Sequence, residues 1–136
     1  MISSYNSASQ DVVVNGLISF DTTRLEVGCA TSQENPSSFK LDKSGYYYIS
    51  FNADVATSAT AGDIVVSLQN NGVIVPGAKA TVNSAATTDI SNISFSTIVQ
   101  VLPSCWVCSN AAVLTLVNSG VAATFSNVNL NIMKIG

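Results

Sequence analysis

Residues 46–55 alternate without interruption: Tyr47, Ile49, Phe51, Ala53 and Val55 fall on one side of an extended chain, and Tyr46, Tyr48, Ser50, Asn52 and Asp54 on the other. A period of two belongs to a β-strand with one buried face, because successive side chains of a strand point to opposite faces of its sheet. The pattern recurs at residues 90–102, where Ile93, Phe95, Thr97, Val99 and Val101 oppose Ser94, Ser96, Ile98 and Gln100. It recurs again at residues 125–135, where Val128, Leu130 and Ile132 oppose Asn129, Asn131 and Met133. No segment keeps a helical period over three turns, so the chain reads as all-β.

Further strands are expected at residues 12–20, 22–27, 37–41, 64–69, 73–75 and 113–117, about eight to ten in all, by the same pattern reading. Asn70-Asn71-Gly72 tolerates positive φ and marks a tight hairpin between the strands at 64–69 and 73–75. Small polar loops are expected at 56–62 and 83–88, and Pro103 closes the strand that ends at Leu102. So many short antiparallel strands separated by turns predict a two-sheet sandwich or barrel. The length of 136 residues suits one domain, and 47% hydrophobic residues suffice for its core. Residues 1–10 read as a short polar arm without a basic start or an apolar stretch, so no secretory leader is expected there.

Only 10% of the residues are charged, whereas Ser, Thr and Asn occupy 44 positions. Arg24, Lys40, Lys43, Lys79 and Lys134 are scattered along a chain of net charge −3, which argues against nucleic acid as a partner, since phosphate binding needs clustered cations. No run approaches the roughly 18 apolar residues of a membrane span.

The absence of histidine excludes Ser-His-Asp and Cys-His catalysis and any His-ligated metal. Asp42, Asp54, Asp63 and Asp89 could supply a glycosidase-type carboxylate pair, but their places at strand ends and turns suit solvated residues better. Cys105-Trp106-Val107-Cys108 has C-x-x-C spacing, yet Cys29 is the only further thiol and zinc wants four ligands. Three states stay open for these cysteines: buried apolar thiols, a local or Cys29-linked disulfide, and a metal site shared between chains. Neither an enzyme activity nor a cofactor is expected. Trp106 is a candidate ligand contact, stacking on a sugar; alternatively it caps the sandwich core.

The stretch Phe39-Lys40-Leu41-Asp42-Lys43-Ser44-Gly45-Tyr46-Tyr47-Tyr48-Ile49-Ser50-Phe51 resembles the F-x-L-x-x-x-G-x-Y-x-x-S-F segment of tumour necrosis factor (TNF)/C1q-like domains. Val65-Val66-Ser67-Leu68-Gln69-Asn70-Asn71-Gly72 is similar to their v-x-L-x-x-N-G hairpin. The closing strands, from Val113 to Asn118 and from Phe125 to Ile132, look like those of bacterial and phage-encoded members, including collagen-like spore-surface glycoproteins. The resemblance spans nearly the whole chain. It departs at Leu102-Pro103-Ser104-Cys105-Trp106-Val107-Cys108, where many members carry a Gly-Asp pair.

What the resemblance implies is a two-sheet antiparallel jelly roll that assembles as a homotrimer with one sheet facing the threefold axis. The residues independently supply a face for it. Tyr46, Tyr48, Ser50, Ser96, Ile98, Gln100, Asn131, Met133 and Ile135 lie opposite the core positions of their strands, and apolar groups on such a second face mark an interface. The function expected is a non-enzymatic structural or recognition trimer on a phage virion or bacterial particle, such as a head fibre, capsid decoration or receptor-binding tip. Its partners would be itself, a host glycan or protein receptor, or other virion proteins, contacted through loops at 56–62, 83–88 and 104–110. The alternatives are a carbohydrate-binding module and the tip domain of a collagen-like spore protein.

Overall fold

The computed structural model describes residues 1–102 and 112–136. Trp106, Cys105, Cys108 and the expected contact loop at 104–110 lie outside the described residues. Twelve strands are present among the described residues: β1 Ile2–Asn6, β2 Gln10–Val12, β3 Gly16–Leu17, β4 Thr22–Glu26, β5 Thr31–Asn35, β6 Ser38–Leu41, β7 Gly45–Thr57, β8 Gly62–Asn70, β9 Val73–Ser84, β10 Ser91–Val101, β11 Ala112–Asn118 and β12 Ala123–Lys134. One sheet runs β10-β7-β12-β1-β4 with β2 attached to β12, and the other runs β5-β6-β11-β8-β9 with β3 attached to β11. Every pairing is antiparallel.

The two inner faces close on one core. Phe51 of β7 meets Phe20 edge-on, with ring centroids 6.2 Å apart, and Phe20 meets Phe39 of β6 at 5.5 Å, so three aromatic rings join the sheets. Edge-to-face contact suits the ring quadrupoles. The alternation in β7 holds from Tyr46 to Val55 and ends at the buried Ala56 and Thr57: Tyr47, Ile49, Phe51, Ala53 and Val55 are buried, while Tyr46, Tyr48 and Asn52 are exposed.

The turn from β6 into β7 shows why the Gly-x-Tyr of that stretch is needed. Gly45 has φ 138°, and a Cβ there would collide with the Gly136 carbonyl oxygen. Two residues on, the Tyr47 hydroxyl donates to the Lys43 carbonyl oxygen at 2.7 Å and fastens the turn beneath the core. Burial pushes the Tyr47 phenol pKa above its ordinary value, with repulsion from Asp42 adding to the shift. The Lys43 ammonium is also raised, first by its contact with Cys29.

Four expectations are corrected. Residues 1–10 are not a polar arm, because β1 is inserted between β12 and β4 and pairs along Ile2↔Ile132 to Asn6↔Val128. The expected strand at 12–20 is divided at Asn15 (φ 64°), where the chain leaves the first sheet as β2 and joins the second as β3. β5 was not expected at all, and β9 runs to Ser84 rather than stopping at Val75. Finally, Cys29 is exposed with a free thiol, not buried.

Candidate assembly face

The nine residues singled out as an interface fall into one block of three rows on the outer face of three neighbouring strands. The middle row is Ile98–Tyr48–Met133, from β10, β7 and β12 in register. On one side lies Gln100–Tyr46, extended by Ile135, whose backbone N–H donates to the Tyr46 carbonyl oxygen at 2.8 Å. On the other side lies Ser96–Ser50–Asn131. The block is fixed by the ladder, because register decides which residues of adjacent strands share a row.

Its apolar members are open to solvent. Ile98 is 57% exposed, Ile135 51%, Tyr46 48%, Met133 43% and Tyr48 37%. Isolated apolar groups on a surface are ordinary, but contiguous ones from three strands are not. Sequence reasoning missed that the row continues. Met1 and Val27 exchange backbone hydrogen bonds of 2.8 and 2.7 Å, which sets them beside the end of β12, and Leu25 pairs with Ser3 one step along. All three are exposed. The signal was available in Leu25 and Val27, which alternate with Arg24 and Glu26.

Beyond the Ser96–Ser50–Asn131 row the same face turns polar. Asn131 Nδ2 donates to Asn129 Oδ1 at 3.0 Å, and Asn127 Nδ2 donates to Asp54 Oδ2 at 3.1 Å. The loop expected at 56–62 narrows to residues 58–61, and the one expected at 83–88 shifts to 85–90. They sit at one end of the sandwich, tied where the Thr57 N–H donates to Ser84 Oγ at 3.1 Å.

The four aspartates considered for catalysis are each engaged locally. Asp42 pairs with Lys40 and accepts from Ser32, Asp63 accepts from Asn83, Asp89 accepts from the Ala85 N–H, and Asp54 accepts from Asn92 and Asn127. Among the described residues no group of three or more Cys, Asp or Glu side chains is placed to hold a metal ion. No helix among them is long and apolar enough to cross a membrane.

Two antiparallel sheets in this order, closed over a single core, define a TNF-like jelly roll. Among solved structures the chain is similar to murine APRIL, with a TM-score of 0.69 at 9% identity over 98% of this chain and 97% of that one. It is also similar to the PRD1 vertex protein P5, with a TM-score of 0.59 at 20% identity over 99% of this chain and 72% of that one. At such identities the likeness is one of fold. No protein-family model and no curated protein matches the sequence.

Proposed function

We propose that this chain is a non-enzymatic structural and recognition subunit that works as a homotrimer on the outside of a phage virion. The observation that carries the reading is the solvent-open block around Ile98, Tyr48 and Met133 on the β10-β7-β12 face. It has the composition of an interface core: two tyrosines, two isoleucines and one methionine with no charged residue among its nine members, flanked by Ser, Asn and Gln. The face is also the one that the resemblance to TNF/C1q-like domains would turn toward a threefold axis. The fold shared with the PRD1 vertex protein P5 is in keeping with a place on a virion surface.

In such a trimer the loops at 58–61 and 85–90 stay clear of the apolar rows, which lie at the opposite end of β7, and are free to contact a receptor. The test is the mass in solution, by light scattering coupled to size exclusion at low micromolar concentration with reductant. A mass of three times 14.1 kDa is expected. A clean monomer would overturn the proposal.

A further inference from the structure

We propose that a hollow of about 320 Å³ between β1, β4 and the bulge of β12 binds a carboxylate-bearing sugar. The inference deepens the recognition half of the reading above and does not depend on the trimer. The hollow is lined by Tyr5, Ser7, Arg24, Asn127 and Asn129 among others, and none of its lining residues is acidic.

Its donors are held ready. Arg24 is exposed, and its Nη2 donates to Ser3 Oγ at 3.1 Å, which tethers one edge of the guanidinium beside β1. The one ion pair among the described residues is Lys40–Asp42, so Arg24, the only arginine of the chain, has no carboxylate partner there. Asn129 Oδ1 is taken by Asn131, which leaves the Asn129 amide donors for a ligand. Asn127 has φ 51° at the point where the β12 register shifts, and such a bulge re-aims a side chain out of the ladder. Asp54, which Asn127 reaches, is occupied by the Asn127 and Asn92 amides.

A guanidinium tethered at one nitrogen and without a carboxylate partner keeps N–H donors free for a planar oxyanion such as a carboxylate. The half-buried ring of Tyr5 offers an apolar face for sugar C–H groups, while Ser7 and the two amides suit hydroxyls. The volume lies at the small end of ligand pockets and matches one ring rather than an oligosaccharide.

The experiment is an NMR titration of the isotope-labelled full chain with glucuronic acid and with the methyl glycoside of N-acetylneuraminic acid, against glucose and acetate. Saturable shifts at Arg24 and Asn129 are expected with at least one acid sugar, about tenfold weaker or absent with glucose and acetate. Arg24→Gln and Tyr5→Ala should each weaken the acid sugar about tenfold with the spectrum otherwise intact. Binding of acetate as tight as that of the sugars, equal binding of glucose, or no saturable shift at Arg24 would each overturn the proposal. Light scattering on the same sample separates the two readings: a monomer that binds sinks the trimer alone, and a trimer that does not bind sinks this site alone.

Discussion

Replacing Ile98 with aspartate is expected to dissociate the assembly without unfolding the subunit. Ile98 is 57% exposed in the isolated chain, so more than half of its area remains to be buried at an interface. Full burial of such a side chain is worth about 1.5–3 kcal/mol, which leaves about 1–1.5 kcal/mol per subunit and roughly 3–5 kcal/mol over three copies. The aspartate also adds an unpaired carboxylate beside Tyr48 in the covered face, at several kcal/mol per ion. Even the apolar loss alone weakens association by about a thousandfold, enough to give monomers at low micromolar concentration. Because the side chain contributes little to the subunit's own core, thermal stability should change by under about 0.5 kcal/mol once oligomerisation is accounted for. The control is Thr115→Asp, which points outward between buried Leu114 and Leu116 on the other sheet and should leave the trimer intact. An Ile98→Asp protein that elutes at trimer mass with a native circular dichroism spectrum would refute the assignment of this face.

Three further outcomes follow from the interior. Tyr47→Phe removes the bond to the Lys43 carbonyl oxygen and should cost about 1 kcal/mol at pH 7, read as a lowered urea midpoint. The raised phenol pKa narrows the difference in alkali: the unfolded phenol ionises near pH 10 while the folded one resists, so wild-type stability falls as pH climbs from about 10 through the folded value, whereas the variant lacks that loss. Asn118→Ala deletes a buried amide that donates to the Val121 and Val12 carbonyl oxygens at 2.9 and 3.2 Å and accepts from the Gly120 N–H, and should cost about 2–3 kcal/mol in denaturant unfolding. Gly120→Ala should destabilise the fold in the same assay, since its Cβ would collide with the Asp63 carbonyl oxygen and lie 2.6 Å from the Val65 nitrogen, both on the backbone of β8.

The parts of the fold that were legible are those whose strands bury one face and open the other. β7, β10 and β12 announce themselves because half their positions are large and apolar and the other half are not. β1 hides because its buried positions include Ser3, Ser4 and Asn6, whose polar side chains sit among hydrogen bonds such as Ser4 Oγ to Gln33 Oε1 at 2.9 Å. β5 and the far half of β9 hide for a different reason. They are edge strands of the second sheet, where exposure on one side allows the polar run Thr31–Asn35 and even Pro76 and Gly77 within β9. The break at Asn15-Gly16 carried a readable turn signal that the apolar run around it obscured.

The two surface features differ in the same way. A face opposite the core is a property of each strand alone, so Tyr48, Ile98 and Met133 could be picked from three separate alternations before any pairing was known. The hollow at Arg24 is a property of register. It needs Tyr5 brought to Asn129 by the β1–β12 ladder, Thr22 and Thr23 brought beside β1 across a bulge, and Asn127 turned out where the β12 register slips between Ser126 and Asn129. A one-residue change in that register would send Tyr5 and Asn129 to the core face and abolish the hollow, while leaving the sequence pattern of β12 nearly as readable as before. Deleting one residue within the bulge of β12, such as Asn127, should therefore cost the acid-sugar shifts at Arg24, even in a chain that still reaches the trimer mass.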